Sequence, residues 1–174
     1  PEGLYRTPIG QAQVLHHGSD VTIAAFSYMS LESLLAAKAL KEHMNISVDL
    51  IDMRSVRPMD VPAVLNSVEK TGRLVVADTA FKTGSVAGEL VSQVVEQAFD
   101  SLKQAPVRIA SPDHPVPTSP YMAAEFYPGP SQIAEAVIDL VEVPRDTQGY
   151  QSMCAALVRR NRHDVPNRDF SGPF

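Results

Sequence analysis

Three things are scarce in this 174-residue sequence, and each scarcity excludes a class of protein. A single cysteine, Cys154, permits neither an intrachain disulfide nor a cysteine-rich zinc site, which is typical of reducing compartments. No apolar run reaches the roughly 18 residues that a membrane-spanning helix needs, and residues 1–3 lack the order of a secretory signal. We therefore expect a protein of the cytoplasm, or of the mitochondrial matrix if eukaryotic, with no membrane partner.

Basic residues are also few. Lys and Arg number 15 against 20 Asp and Glu, so the formal net charge at pH 7 is -5. Proteins that bind the phosphate backbone need a basic surface, so this balance argues against a nucleic-acid partner. Apolar residues make up 44% of the chain, which is enough for one domain with a sizeable core.

Short apolar runs alternate with segments of helical period up to about residue 143. The runs at residues 9–15, 21–27, 46–53, 73–78 and 106–110 are predicted strands. Only five residues connect the first two runs, too few for a crossover helix, so we expect these strands to pair antiparallel as a hairpin. The alternation predicts an α/β fold with a mixed sheet and helices packed on it.

Four longer segments have the apolar spacing of amphipathic helices. Ser30 is the predicted N-cap of the first helix, and its predicted buried face consists of Leu31, Leu34, Leu35 and Ala39. Asp60 is the predicted cap of the second helix, which Gly72 ends. The third helix follows Ser85 and extends to about residue 102, and the fourth begins at Ser131.

Two further segments differ in composition from the rest. Six of the 14 prolines lie from Pro112 to Pro130, which predicts a surface loop without regular structure. Residues 145–174 contain five Arg and three Asp, in contrast to the acidic remainder. We expect one short helix there, with Tyr150, Met153 and Leu157 on one face, and expect this extension to lie across a partner or to be partly mobile.

Common catalytic and cofactor motifs are absent from the sequence: it has no G-x-G-x-x-G, Walker loop, H-E-x-x-H, Cys/His metal spacing or G-x-S-x-G. Ligands of open α/β sheets bind beyond the carboxyl ends of the strands, so the candidate residues are those that follow the predicted strands. His16 and His17 are adjacent and would point to opposite faces of an extended chain, which favours an exposed turn over a shared metal.

Two arginines after the third predicted strand are the first candidates for an anion or interface site. Arg54 and Arg57 could bind a phosphate or a carboxylate through their forked donors, or could form ion pairs with Asp52 or Asp60. The ion pairs are the interpretation that we favour.

The other three candidates follow the fourth and fifth strands. Lys82 begins a Lys-Thr-Gly sequence before the third helix, which suits an anion at a helix N-terminus less well than a tight loop. Asp113 and His114 are residue types of a nucleophilic triad, but no pattern places a serine for them, so a turn flanked by prolines is favoured.

Several short segments occur in a distinctive order: P-I-G-Q-A at residues 8–12, G-S-D-V-T-I at 18–23, I-D-M-R-S-V-R-P-M-D at 51–60, K-T-G-R-L-V-V at 70–76 and D-H-P-V-P at 113–117. In this order they resemble the C-terminal, transketolase-like domain of the β subunits of 2-oxo acid dehydrogenase E1 components. The resemblance implies an α/β protein with three α/β/α layers and a five-stranded mixed sheet with one antiparallel edge strand.

The resemblance also divides the chain and assigns the chemistry elsewhere. It implies a linker at residues 1–8 from a missing upstream pyrimidine-binding domain, the transketolase C-terminal-like domain at 9–143 and a C-terminal extension at 144–174. In the family that the chain resembles, thiamine diphosphate and Mg²⁺ lie between the other domains of the full E1. The resemblance therefore implies no catalytic, cofactor or metal residue here, and an isolated chain without activity.

The implied partners are the E1 α subunit, a second β subunit and the basic subunit-binding domain of the E2 acyltransferase. Gly84-Ser85 stands where Gly-Gly is usual before the long helix, and the extension has no counterpart in the family. Two alternatives stay open: the corresponding domain of a transketolase or deoxyxylulose-phosphate synthase, and a free-standing interaction module with this fold.

Overall fold

A computed structural model describes residues 5–123 and 126–158. Its strands are β1 (Gln13–His16), β2 (Val21–Ala25), β3 (Val48–Asp52), β4 (Leu74–Phe81) and β5 (Val107–Ser111). Its helices are α1 (Met29–Met44), α2 (Val61–Thr71), α3 (Val86–Ala98), α4 (Pro120–Ala123), α5 (Pro130–Val141) and α6 (Gln148–Ala156), with a 3-10 turn at Phe99–Ser101. None of the helices in these two ranges is long and apolar enough to cross a bilayer.

The five strands form one mixed sheet in the order β1-β3-β2-β4-β5. All neighbouring strands are parallel except β1, which lies at the edge and pairs antiparallel with β3. Helices α1, α5 and α6 pack on one face around Ile23, Leu50 and Val75, and α2 and α3 pack on the other around Ile51 and Val76. The predicted three-layer arrangement with an antiparallel edge strand is therefore confirmed.

The predicted hairpin between the first two strands is wrong, because β3 lies between them. The chain leaves β1 at His16 and passes over the start of β3 before it enters β2 at Val21. Gly18 makes this crossing possible: a Cβ atom there would collide with the backbone carbonyl group of Val48. The Asp20 carboxylate accepts a hydrogen bond from the Ser47 N–H at 2.7 Å, which holds the loop between β1 and β2 against the residue before β3.

The predicted face of α1 is correct only at Ala39, since Leu31 and Leu35 are half-buried and Leu34 is exposed. Leu34 is 39% exposed, and the side chains that the helix buries are mostly small or polar. They are Met29, Ser30, Glu32, Ser33, Ala36, Ala37, Ala39 and Leu40. The Ser30 hydroxyl is not a cap, since it donates to Asp52 at the end of β3 at 3.0 Å, and Tyr28 occupies the N-cap. Small residues let α1 approach the sheet and α5 closely, which a stripe of leucines would prevent.

Local signals identify α2, α3 and α5. Asp60 accepts from the N–H of Ala63 at the start of α2, and Gly72 ends that helix with φ 75°. Helix α3 follows Ser85 as predicted but ends at Ala98 and not at about residue 102, and Phe99–Ser101 form the 3-10 turn. The described residues of the proline-rich segment include the single turn α4, which the proline density did not predict.

Helix α6 confirms the predicted short helix in the extension, but this part of the extension packs on its own chain. Met153 and Leu157 are buried in the core shared with α1 and α5. Arg145 anchors the connection to α5 through Glu135 at 3.1 Å and Asp139 at 2.5 Å. Residues 145–158 therefore pack against the core of their own chain, the contact of the extension with a partner stays a prediction, and residues 159–174 lie outside the described part.

A polar cluster is buried between α2 and the amino end of the sheet. Asp49 accepts from Lys70 Nζ at 2.8 Å, Ser67 Oγ at 2.5 Å and the Gly18 N–H at 3.0 Å. Burial alone would raise the pKa of the Asp49 carboxyl, but these donors together outweigh burial and hold the pKa below its usual range. The carboxylate is therefore ionised and stabilising at neutral pH.

Replacing Met153 by Ala should lower the free energy of unfolding by about 2–4 kcal/mol, because this residue of α6 is fully buried against the core and its truncation leaves a cavity. The matched control is Met122→Ala at an exposed methionine, for which we expect a change within about 0.5 kcal/mol. Urea unfolding of both variants measures the difference. Equal effects would contradict the placement of α6 in the core.

The Asp49→Asn substitution should lower the free energy of unfolding at pH 7 by about 1–3 kcal/mol, since it removes the charge that Lys70 and Ser67 stabilise. A carboxyl with a lowered pKa stabilises the fold above its unfolded value of 3.8, and this stabilisation is lost as the pH falls through the lower folded value. The difference in free energy of unfolding between the variant and the wild type should therefore become smaller below pH 3.8, as measured by urea unfolding at each pH. Asp100→Asn, at an exposed aspartate, serves as control.

Candidate functional site

The carboxyl ends of the four parallel strands lie along one edge of the sheet, where the predicted site residues follow them. At this edge β4 and β5 are joined beyond their regular pairing. The N–H of Lys82 donates to the carbonyl of Ser111 at 3.1 Å, and the Ser111 hydroxyl donates to the carbonyl of Thr79 at 3.0 Å. These bonds bring the segment after β4 against the segment after β5.

Asp113 holds the two segments together. Its carboxylate accepts from the Thr83 N–H at 3.0 Å and from the Thr83 hydroxyl at 2.7 Å. The Thr83 N–H and hydroxyl, aided by the positive charges of Arg108 and Lys82, lower the pKa of Asp113. Gly84 follows with φ 72°, the left-handed conformation that a tight loop needs. The Lys-Thr-Gly sequence thus serves loop geometry.

The residues of a nucleophilic triad are not assembled in the described part of the chain. His114 Nδ1 lies 3.0 Å from the carbonyl of Pro115, and the Ser111 hydroxyl is engaged with Thr79. The His114 ring meets the ring of Phe126 edge-on, with 5.4 Å between centroids. Asp113 and His114 therefore build a turn, as the flanking prolines indicate.

Lys82 and Asp113 line a common cleft of about 380 Å³, and His114 adjoins it through Phe126. The other lining residues are Arg108, Ile109, Ala110, Ser111, Pro112, Phe126, Pro128 and Gln132. Sequence reasoning missed Arg108 and Gln132. Arg108 is a charged residue inside an otherwise apolar strand, a signal that could have identified it, whereas nothing in the local pattern singles out Gln132.

Arg54 and Arg57 lie elsewhere on the edge, after β3. Strand β2 separates β3 from β4, so this strand end is about 10 Å from the end of β4. Neither arginine forms an ion pair with Asp52 or Asp60 in residues 5–123 and 126–158. Asp52 accepts from Ser30 and the Arg54 N–H, and Asp60 accepts from the N–H groups of residues 12 and 63. Both guanidinium groups are exposed at the rim.

No three His, Cys, Asp or Glu side chains of the described residues converge where they could hold a metal ion. His16 Nδ1 lies 2.8 Å from the carbonyl of Val48, and the His17 side chain is 85% exposed. His16 ends β1 and His17 begins the loop over β3, so the two histidines do not lie in a hairpin turn.

A second depression, of about 320 Å³, lies between α5 and α6 and includes Cys154 and Glu135. The Tyr150 hydroxyl donates to Glu135 at 2.6 Å. This bond, with a smaller contribution from Cys154, raises the pKa of Tyr150 to about 12. The tyrosine is a fixed donor at neutral pH and belongs to the packing of α6.

The sequence is similar to those of three curated proteins. The β subunit of an acetoin:2,6-dichlorophenolindophenol oxidoreductase from Cupriavidus necator is 39% identical over 78% of this chain and 40% of its own length. The pyruvate dehydrogenase E1 β subunit of Acholeplasma laidlawii is 39% identical over 82% and 43%. The mitochondrial 2-oxoisovalerate dehydrogenase β subunit of Dictyostelium discoideum is 37% identical over 67% and 32%.

The chain spans about two fifths of the length of the first two of these relatives. Among solved structures, a split gene transketolase described as an inactive β4 tetramer superposes with a TM-score of 0.68 and 28% identity. The superposition covers 79% of this chain and 44% of that one. The family model described as the transketolase C-terminal domain matches residues 10–133. The chain is therefore a member of the transketolase C-terminal domain family.

Proposed function

We propose that the chain is the assembly and partner-docking domain of the β subunit of a thiamine diphosphate-dependent 2-oxo acid dehydrogenase E1. The full E1 would decarboxylate a 2-oxo acid and acylate the lipoyl group of E2, which makes it an oxidoreductase. The observation that carries this proposal is the identity of 37–39% to the pyruvate and 2-oxoisovalerate dehydrogenase β subunits over at least 67% of the chain.

The donors at the carboxyl edge do not fit thiamine diphosphate with Mg²⁺. The described residues offer no carboxylate set for the metal, since Asp113 is engaged by Thr83 and Asp52 by Ser30 and the Arg54 N–H. The proposal places the cofactor in the other domains of the E1 and makes the isolated chain inactive.

Exposed apolar side chains on the edge loops support a docking role. Tyr121 is 89% exposed and Met122 is also exposed on α4, Val116 is exposed between β5 and α4, and Phe81 is exposed at the end of β4. Large exposed apolar residues at one end of a sheet suit a surface that a partner covers. We propose the E1 α subunit, a second β subunit and the subunit-binding domain of E2 as partners, and the acidic net charge of -5 suits a basic E2 domain.

The division of the chain is part of the same proposal. Residues 9–143 would form the assembly domain and residues 144–174 an extension added to it, of which α6 is the described element. The E1 would lie in the cytoplasm, or in the mitochondrial matrix of a eukaryote, as the mitochondrial relative from Dictyostelium discoideum suggests.

Transketolase is the second candidate, because the structural relative with a TM-score of 0.68 is a split gene transketolase. A domain of this kind would serve a sugar-phosphate enzyme with the same architecture. The two functions differ in the acceptor of the transferred group, which is a lipoyl group in one case and a sugar phosphate in the other.

An assay of the full-length subunit with its natural partner chain separates the two candidates. With pyruvate or a branched 2-oxo acid and a lipoyl domain of E2, we expect acylation of the lipoyl domain, measured by intact mass. The same reaction with the partner chain left out is the control and should give none. Transfer between sugar phosphates, with no acylated lipoyl domain, would contradict the E1 proposal and favour transketolase.

A further inference from the structure

The cleft at the end of β5 holds hydrogen-bond donors that the described chain leaves unused. Arg108 Nη1 donates to the carbonyl of Lys82 at 2.9 Å, but the other guanidinium nitrogens of Arg108 and the Lys82 ammonium have no partner in residues 5–123 and 126–158. Gln132 adds a third donor group. Its Oε1 accepts from the Gly129 N–H at 3.0 Å and from Ser131 Oγ at 2.9 Å, which leaves its Nε2 without a described acceptor.

The charge balance of the cleft is positive, in a chain with net charge -5. Asp113 is the one acidic residue among the described lining residues. Both oxygens of its carboxylate accept from Thr83, so it does not need the two cations as hydrogen-bond partners. Lys82 and Arg108 against Asp113 give the cleft one net positive charge, which favours an anionic ligand.

The cleft also has an apolar wall. Ile109, Ala110, Pro112, Phe126 and Pro128 contribute to it, and the rings of His114 and Tyr127 meet the buried Phe126 ring edge-on. The volume of about 380 Å³ lies at the lower end of the roughly 300–1,000 Å³ typical of small-molecule sites. A bare inorganic anion would use the cations and leave this wall in contact with water. A carboxylate with an apolar body would use both.

We propose that this cleft binds a small organic carboxylate. The carboxylate group would accept from Lys82, Arg108 and Gln132, and the apolar body would lie against Phe126 and Ile109. This site is independent of the proposed E1 role, because it needs no other domain and no thiamine diphosphate.

Benzoate, benzamide and inorganic phosphate are the probes, titrated into the 174-residue protein and followed by the amide signals of Ala110, Ser111 and Phe126 in NMR spectra. We expect saturable binding of benzoate in the millimolar range, with benzamide and phosphate each at least about ten times weaker. A hydrogen bond to a charged group is worth about 1.5–3 kcal/mol. The substitutions Arg108→Gln and Lys82→Gln should therefore each lower the affinity for benzoate by about tenfold or more.

Lys38→Gln is the matched control, since Lys38 is exposed on α1 and outside the cleft. It should bind benzoate like the wild type. Arg108 also holds the loop through the carbonyl of Lys82. If Arg108→Gln disturbs this loop, the affinity of the Lys82→Gln variant for benzoate decides the test. The proposal is overturned by the absence of saturable benzoate binding, by equal affinity for benzamide or phosphate, or by wild-type affinity in Lys82→Gln.

Discussion

The burial of β2 is the constraint on which the rest of the structure depends. All five of its residues are buried, and both of its neighbours, β3 and β4, run parallel to it. A strand with parallel partners on both sides cannot be joined to either of them by a tight turn. It also needs a helical layer on each face, which α1, α5 and α6 provide on one side and α2 and α3 on the other. The edge position of β1 and the loop over β3 at Gly18 follow from this arrangement.

The two ends of the sheet are built differently. At the amino end, Asp49 is enclosed by Lys70, Ser67 and Gly18, and its hydrogen-bonding capacity is used within the chain. At the carboxyl end, the loops after β4 and β5 are tied by Thr83 and Asp113, while the cations beside them stay open to a ligand. One end therefore stabilises the fold, and the other offers donors, charge and exposed apolar side chains for binding.

The sequence predicts those parts of the fold that local chemistry determines. Asp60, Pro62 and Gly72 define α2 because a cap, a proline in the first turn and a left-handed glycine act within one helix. The hairpin could not be excluded in this way, because the position of β3 between β1 and β2 is decided by pairing across the chain. The buried face of α1 was missed because small residues pack more closely than Leu34 and its neighbours, and only the partner helices reveal that.

The strand order decides which of the candidate residues lie together. Lys82 and Asp113 follow parallel strands and line one cleft, which His114 adjoins through Phe126, and their role as a site stays a prediction. Arg54 and Arg57 follow β3 and remain apart, since the strand order is not contained in their own spacing. Arg108 and Gln132 also line the cleft. The charge of Arg108 within the apolar strand β5 is a local signal, whereas the pattern around Gln132 on α5 indicates only packing.

The proposal that this domain belongs to the β subunit of an E1 with separate α and β chains can be tested directly. Native mass spectrometry is performed on the protein isolated from its source with an antibody to this domain. We expect a native chain more than twice as long as these 174 residues, in an assembly with an equal number of larger α subunits. A native chain of this length without an α subunit would contradict the proposal and make the domain a free-standing binding module.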